Sequence, residues 1–161
     1  MYSYGNYYTW AAAIADTTAY ATNNQSVTST SICPTGWHLP KGGDKTNEAN
    51  NEFWALIVTG INGGINPSNY ESETRPYYTG TAEAGPVANA LRAYPNNFVY
   101  SGYVGSGSVY NRGSYGFYWS STAYSGYYAY TMYFLSSGVY PGTYGSNKYY
   151  GRTIRCVATG A

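Results

Sequence analysis

Short strand-like runs punctuated by glycine and serine fill the chain from Phe98 onward, and they limit the folds that it can adopt. The runs are rich in Tyr, Val and Phe, which favour strands, and most are too short for an ordinary helix. They read NFVYSGYVG, SVYNRG, FYWSST, YAYTMYFL, GVYP and RTIRCVA. This spacing predicts a small antiparallel sheet in the C-terminal part of the chain.

The N-terminal part of the chain carries helical patterns instead. Segment 9–21 contains three consecutive alanines, which favour a helix, and it places Trp10 and Ile14 on one apolar side. Segment 47–61 repeats apolar residues at helical spacing, Phe53 among them, and a GING sequence ends it. The two segments predict a first and a second helix.

A polar stretch, 62–97, separates these helices from the strand-like runs. It contains four prolines and therefore predicts a loop, with only a short helix near VANALRAY. Mixtures of Tyr, Gly and Ser also mark disordered segments, but the apolar helices and alternating strands argue for a packed fold. Helices followed by many short strands indicate an α+β domain, and the length suits a single domain, 1–161.

Charged residues are scarce and unevenly placed. They make up 9% of the chain, and all seven carboxylates lie between Asp16 and Glu83. Calcium takes about six to eight oxygen ligands, normally including carboxylates, so we expect no metal site in the C-terminal half. Glu48 and Glu52, which together with Asp44 could be imagined as ligands, lie one turn apart on the second helix and indicate a solvated face.

The chain has two cysteines, Cys33 and Cys156, without the Cys/His clustering that would indicate zinc. They could form a disulfide that closes nearly the whole domain, or remain as two buried thiols. A bridge would contribute about 4 to 5 kcal/mol by the chain-entropy model and would indicate an oxidising, extracytoplasmic setting. No apolar run reaches the length of about 18 residues that a membrane span needs.

Three motifs give the chain a family resemblance. SICPTGWHLP (31–40), YWSST (118–122) and IRCVA (154–158) resemble the Fibrobacter succinogenes major paralogous domain, which is similar to members of the C-type-lectin-like superfamily. YYTWAAAIA (7–15) fits the opening helix of the same family. The resemblance implies a C-type-lectin-like fold, with two helices packed on small antiparallel sheets, long loops and termini close together. It also implies that the two cysteines are bonded.

A second resemblance concerns the tyrosines. The region 111–155 resembles the variable region of proteins diversified by retroelements, in which adenines are randomised and Asn-type codons become Tyr, Ser, Thr, Asp or Gly. Twelve of the 23 tyrosines lie in 110–150, interspersed with Ser, Asn, Gly and Thr. Antibody paratopes use the same residues, because Tyr supplies rigid contact area and Ser, Gly and Asn adaptable hydrogen bonds.

Strand periodicity separates the tyrosines expected to pack from those expected to bind. In AYTMYFL, Tyr130, Met132 and Phe134 fall on one face of a strand and are expected in the core. Tyr118, within YWSST, is expected to be structural because it belongs to the family pattern. The positions predicted to be exposed for ligand binding, and to lie together on one face, are Tyr124, Tyr127, Tyr128, Tyr133, Tyr140, Tyr144, Asn147, Tyr149 and Tyr150.

Other function classes have little support in the sequence. His38 is the one histidine, and it lies within the family element GWHLP, so a Ser/His/Asp set built on it is unsupported. Formylglycine-generating enzymes share the implied fold but need active cysteines. Arg112, Arg152 and Arg155 beside tyrosines could bind single-stranded nucleic acid, but three arginines make a thin basic surface. We therefore expect no enzymatic activity, no cofactor and no nucleic-acid partner.

The sequence thus predicts a non-enzymatic receptor or adhesin domain with a tyrosine-rich, retroelement-diversified binding face. Its expected partner is a protein or surface glycan of another cell or host. We expect it outside the cell or at the cell surface, without a membrane span in this chain and tethered through a segment absent from it. The alternative is a cell-surface adhesin or structural module of the same lectin-like family without targeted diversification.

Overall fold

The computed structural model describes residues 4–18, 27–45, 48–64 and 77–160. They form three longer helical segments, a 3-10 turn at Glu48–Asn50 and small antiparallel sheets, so the chain is an α+β protein. Within these ranges, no helix combines the length and the apolar character needed to cross a membrane.

Helix α1, Trp10–Ala13, begins where the Thr9 side chain accepts a hydrogen bond from the backbone N–H of Ala12, as N-capping residues do. It is shorter than the predicted segment 9–21. The helix ends because Ala15 takes a positive φ of 54°, a backbone conformation that a right-handed helix does not contain. Residues 19–21 of the predicted helix lie outside the described residues.

Helix α2 starts as a regular turn, Glu52–Trp54, and continues as a π-helix, Ala55–Ile61. Asn51 caps it by accepting a hydrogen bond of 3.0 Å from the N–H of Trp54. The same side chain donates to the carbonyl oxygen of Pro141 at 2.7 Å. One buried amide therefore fixes both the start of the helix and a distant strand.

Helix α3, Thr81–Arg92, is longer than the short helix predicted near VANALRAY. Pro86 lies inside it, although proline normally disfavours a helix interior. The helix buries Ala84, Val87 and Leu91, whose spacing places them on one side. This packing outweighs the proline signal from which a loop was predicted.

The main sheet has four antiparallel strands in the order β2-β7-β6-β5. Two further pairs join β1 to β8 and β3 to β4. The strands are β1 Trp37–His38, β2 Tyr78–Thr79, β3 Tyr103–Gly105, β4 Ser108–Tyr110, β5 Gly116–Ala123, β6 Tyr128–Leu135, β7 Gly138–Asn147 and β8 Val157–Ala158.

Each neighbour of β6 carries extra residues relative to it. Trp119 and Ala123 of β5 pair with residues of β6 that are only two apart, so Ser120, Ser121 and Thr122 bulge. The Ser120 hydroxyl donates to the carbonyl oxygen of Tyr130 at 2.8 Å within this bulge. The YWSST motif is therefore a structural element of the sheet.

The two faces of the main sheet cover different cores. On one face, Tyr118, Met132 and Phe134 pack with helices α2 and α3. On the other face, Trp119 and Ala129 pack with α1. Strand alternation produces this division, since successive residues point to opposite faces. The expected burial of Tyr130, Met132 and Phe134 is confirmed, because all three are fully buried.

A disulfide joins Cys33 to Cys156, which are 123 residues apart in the chain, with 5.8 Å between their Cα atoms. The predicted bridge is confirmed. Beside it, β1 pairs with β8, with Trp37 opposite Ala158. The segment after α1 is thus held to the last strand by a covalent bond and by backbone hydrogen bonds.

Candidate binding surface

Three tyrosines meet at the centre of the main sheet. The ring of Tyr133 on β6 lies 4.8 Å from the ring centroids of both Tyr140 and Tyr144, and those two rings are 5.0 Å apart. Four residues of regular strand would span about 13 Å. The trio forms because β7 bulges between Tyr140 and Tyr144, which pair with Tyr133 and Thr131 respectively.

The bulge in β7 depends on a close approach to α2. Gly142, within the bulge, has a φ of 72°, a conformation that favours glycine. A Cβ at this position would come within 2.7 Å of the Asn51 Oδ1. The bulge that brings the trio together therefore also requires glycine where it packs on the cap of α2.

The trio continues into a larger set of rings on the same sheet face. Phe117 stacks on Tyr133 with 4.3 Å between centroids and 5° between planes. Phe117 in turn contacts the edge of Tyr103 at 5.4 Å. Tyr103 stacks with Tyr110 at 5.2 Å and with Tyr150 at 5.9 Å. Together with the trio, these contacts connect rings of five strands, β3 to β7, into one aromatic surface.

We call this surface the aromatic array. All of its members are linked by ring contacts. It consists of Tyr103, Tyr110, Tyr115, Phe117, Tyr133, Tyr140, Tyr144 and Tyr150. Tyr110 is exposed, Phe117 is buried, and Tyr103, Tyr115, Tyr133, Tyr144 and Tyr150 are partly exposed. The array therefore presents ring surface to solvent from a buried base.

The hairpin β3–β4 supplies two of these rings. Its loop residues, Ser106 and Gly107, both have positive φ, as a two-residue type I′ turn requires. The turn sets a register in which Tyr103 lies opposite Tyr110. Direct cross-strand partners are close enough for their side chains to pack, so the two rings stack.

Arg152 lies under the array. Its guanidinium carbon is 4.4 Å from the ring centroid of Tyr103, 4.6 Å from Phe117 and 5.7 Å from Tyr150. The residue is only 4% exposed. Burial lowers the pKa of Arg152 to about 10, so the guanidinium remains charged near neutral pH. Three aromatic faces contact a buried cation there.

The same burial affects the tyrosine hydroxyls. Burial raises the pKa of Tyr140 to about 12, and the neighbouring Tyr144 hydroxyl adds to the effect. Burial also raises the pKa of Tyr133, with smaller contributions from Tyr115, Tyr140 and the other surrounding tyrosines. Both side chains therefore stay protonated at neutral pH and can donate a hydrogen bond.

The structure divides the predicted binding residues into two groups. Tyr133, Tyr140, Tyr144 and Tyr150 belong to the aromatic array. Tyr140 was expected to be exposed, but it is only 9% exposed because the rings of Tyr133 and Tyr144 pack on it. That expectation of exposure is wrong for Tyr140.

The other predicted residues surround the turn between β5 and β6 and the end of β7. Tyr127, Tyr128 and Tyr149 are exposed, whereas Tyr124 and Asn147 are partly buried. Tyr128 and Tyr133 are an odd number of residues apart on β6, and they therefore point to opposite faces of the sheet. The prediction that all the tyrosines lie on one face is corrected accordingly.

Sequence reasoning missed several members of the array. Tyr103 and Tyr110 lie before the predicted variable region, and Arg152 was considered only for nucleic acid. The sequence did contain a signal for Tyr103 and Tyr110. In YVGSGSVY the two tyrosines are placed symmetrically about Ser106 and Gly107, the turn residues that have positive φ in the structure. No local signal places Arg152 under them, because that contact depends on how the chain returns after β7.

His38 and Glu52 lie outside the array. The Nε2 of His38 is 2.8 Å from the Oε1 of Glu52, and its Nδ1 contacts the Oγ1 of Thr159 at 3.2 Å. This pairing joins β1 to α2 and has a structural role. No cluster of three or more His, Cys, Asp or Glu suited to a metal ion occurs among the residues that the structure describes.

Tyr118 is structural, as predicted. It is 5% exposed, and its hydroxyl accepts a hydrogen bond of 2.9 Å from the backbone N–H of Val99. Burial raises the pKa of its hydroxyl. Tyr118 points to the sheet face that α2 and α3 cover, and it is separate from the array.

Residues 88–157 match a family model described as Domain of unknown function (DUF8237). The matched range extends from within α3 to β8 and includes every member of the aromatic array. The chain matches no curated protein and no solved structure.

Proposed function

We propose that this chain is a non-enzymatic ligand-binding domain with a C-type-lectin-like fold, and that the aromatic array is its binding face. The observation that carries the proposal is the array itself. It contains seven tyrosines in continuous ring contact, several of them partly open to solvent. A core would use Leu, Ile and Val, whereas tyrosine-rich surfaces are typical of binding faces.

Support for the lectin-like fold comes from the way the chain closes. The Cys33–Cys156 bridge, together with the β1–β8 pair, ties the early part of the chain to its end. This is the arrangement that the motif resemblance implies. The YWSST bulge and the GWHLP segment both have structural roles, as expected of family motifs rather than of a catalytic site.

Diversification of the region 111–155 by a retroelement is part of the same proposal. The region holds six of the eight array members, all except Tyr103 and Tyr110. Partly exposed tyrosines can be exchanged at small cost, since surface substitutions usually change stability by about 0.5 kcal/mol or less. Such positions can vary while the disulfide and the two cores keep the fold.

The proposed partner is a protein or a surface glycan of another cell or host. The disulfide is typical of an oxidising environment, which supports a location outside the cell or at its surface. Anchoring through a segment absent from this chain remains part of the proposal. A non-diversified adhesin or structural module of the same lectin-like type is the alternative, and it differs only in the origin of the tyrosines.

Binding can be tested with immobilised arrays of extracellular proteins and of glycans. For any ligand that binds, a double variant, Tyr110→Ser with Tyr144→Ser, should weaken binding by about seven-hundredfold, because aromatic hot-spot contacts are each worth about 2 kcal/mol and the two losses together amount to about 4 kcal/mol. Tyr94→Ser is the control, since Tyr94 is 88% exposed and outside the array. A ligand that the double variant binds as well as the wild type would show that the array is not the binding face.

The coding DNA tests diversification separately. A neighbouring reverse transcriptase gene, and a near-repeat of codons 111–155 that differs only at adenines, are expected. A locus with neither would leave the binding proposal standing and favour the non-diversified adhesin. Because this observation concerns the gene alone, it is independent of the binding measurement.

A further inference from the structure

Arg152, under the aromatic array, has no carboxylate partner among the residues that the structure describes. Arg152 is 4% exposed, and neither its Nε nor its Nη1 has a hydrogen-bond partner among the residues that the structure describes. A buried charge is normally paired with an opposite charge. Here, aromatic faces are the contacts closest to the guanidinium, with the rings of Tyr103 and Phe117 within 4.6 Å.

The sequence around the array supplies no carboxylate. From residue 84 to the end of the chain there are five Lys or Arg residues and neither Asp nor Glu. The carboxylate of Glu52, on α2, is hydrogen-bonded to His38 on β1. The positive field of Arg152 is therefore not cancelled by any acidic residue of the strands that carry the array, and it is weakly screened because the guanidinium is buried.

This field changes what the rings can bind. An aromatic ring has a negative face, and a cation on one side draws that electron density toward itself. The outward side of Tyr103 and Tyr150 is consequently a poorer partner for lysine or for the C–H groups of a neutral sugar. Hydroxyl groups near the cation are better donors, so they favour an acceptor with negative charge.

We infer that the occupant of the aromatic array is an acidic protein surface, which presents Asp or Glu carboxylates to the tyrosine hydroxyls above Arg152. This inference rests on the proposed binding function and specifies the chemistry of its ligand. Charge complementarity is the argument for an acidic partner. The breadth of the array is the argument for a protein, because Tyr and Arg are enriched at the centres of protein interfaces.

Nucleic acid, the other acidic macromolecule, fits less well. Its phosphates need cations that they can reach. Of the three basic residues within 103–152, Arg152 and Lys148 are buried, and only Arg112 is exposed. The cavities beside Trp37, Tyr8 and Lys41 are lined by none of the rings of the array.

The test uses three synthetic peptides that share a Ser-Gly framework and carry Glu, Gln or Lys at the same positions, with oligothymidylate as a fourth probe. Binding is followed through the NMR signals of the tyrosine rings. The Glu peptide should shift the signals of Tyr103, Tyr144 and Tyr150 and bind about tenfold more tightly than the Gln peptide, as expected for a weakly screened charge pair. Added salt should reduce this preference.

Arg152→Met, which removes the charge and keeps a long apolar side chain, should remove the preference for Glu over Gln. Arg155→Met is the matched control, because Arg155 packs on Phe98 away from the array, and it should keep the preference. If Arg152→Met does not fold, Tyr144→Phe and Tyr150→Phe, which remove only a hydroxyl, should each weaken binding of the Glu peptide and leave that of the Gln peptide unchanged.

The outcomes separate the two proposals. Equal or tighter binding of the Gln or Lys peptide to the array would overturn the acidic partner and leave the binding face intact. Tighter binding of oligothymidylate than of the Glu peptide would show that the partner is a nucleic acid and not an acidic protein. If no probe shifts any ring signal of the array, the acidic partner is overturned, and the protein and glycan arrays then decide whether the face binds at all.

Discussion

The rings of Tyr133 and Tyr140 lie nearly parallel, with 4.8 Å between their centroids and 14° between their planes. They come from adjacent strands and are direct cross-strand partners. Stacking of this kind buries Tyr140 and covers part of the Tyr133 ring. Two tyrosines of the array therefore combine a packing role with a position in the proposed binding face.

Their ionisation provides the first prediction. An unfolded tyrosine loses its proton near pH 10, whereas burial raises the pKa of Tyr140 to about 12. Burial also raises the pKa of Tyr133. Between these values the unfolded state binds fewer protons than the folded state, so the free energy of unfolding falls as pH rises above 10. A spectrophotometric titration should show a late fraction of the tyrosinate, which appears well above pH 10.

Tyr140→Phe and Tyr133→Phe should each remove one late-titrating group, because phenylalanine keeps the ring and loses the hydroxyl. The denatured protein is the control, and all of its tyrosines should ionise in one step. A late phase of unchanged size in both variants would contradict the assignment.

Lys148 is fully buried, and its Nζ lies 4.5 Å from the ring centroid of Trp10. Burial lowers its pKa from 10.5 to about 8. Between these values the unfolded chain keeps the proton that the folded chain has lost, so the free energy of unfolding should rise as pH increases from 8 toward 10.5. Denaturant unfolding across this pH window measures the effect.

Lys148→Met should abolish this rise, because methionine fills a similar volume without a charge. Lys41→Met removes one charge from the surface and should leave the rise in place. An equally steep rise in Lys148→Met would mean that another group is responsible.

The disulfide should contribute substantially to stability. It closes a loop of 123 residues, for which the chain-entropy model gives about 4 to 5 kcal/mol. The double variant Cys33→Ser, Cys156→Ser should lose roughly this amount of unfolding free energy in denaturant titrations. Mass spectrometry of the non-reduced wild type is the companion measurement, and two free thiols in the folded protein would contradict the bridge.

Two tyrosines close together in the chain should respond in opposite ways to substitution. Tyr127 is 69% exposed, and Tyr127→Ser should change the unfolding free energy by no more than about 0.5 kcal/mol. Tyr130 is fully buried, and Tyr130→Ala should cost roughly 3 to 5 kcal/mol. Thermal and denaturant unfolding compare them directly, and similar costs at both positions would show that burial does not decide which tyrosines can vary.

The bulge that assembles the array can be tested at Gly142. Gly142→Ala introduces a Cβ that would lie 2.7 Å from the Asn51 Oδ1 at a φ of 72°. Gly80→Ala is a matched control, because Gly80 has a similar φ of 75° and open space around it. The Gly142 variant should lose about 1 to 3 kcal/mol more than the control, as overpacking does, and its near-ultraviolet tyrosine circular dichroism should change. Equal losses would mean that the bulge tolerates a side chain.

Several elements of the fold could be predicted from the sequence alone. The run YAYTMYFL forms β6 with the predicted bounds, and its alternation correctly places Tyr130, Met132 and Phe134 in the core. The cysteine pair was also predicted. The prediction of β6 depends on local signals, because β-propensity and the period of two act within a single strand, whereas the cysteine pairing followed from the family resemblance and from there being two cysteines.

Helix lengths were less predictable. Helix α1 is four residues long, although its alanines favour a longer helix, and α3 continues through Pro86. Helix α1 ends at the positive φ of Ala15, and α3 is stabilised by its packed apolar face. Intrinsic helix propensity encodes neither feature. Propensities of less than about 1 kcal/mol per residue are readily outweighed by burial.

Membership of the aromatic array was decided by the tertiary structure. The sequence alone determined that the chain is rich in tyrosine on short strands and that acidic residues are missing after Glu83. The sequence could not place Tyr103 beside Tyr150 or over Arg152, because each of these two contacts joins residues about 50 positions apart in the chain. They exist only after the bulge in β7 and the return of the chain have brought separate strands together, and such non-local geometry leaves no period or motif in any one segment.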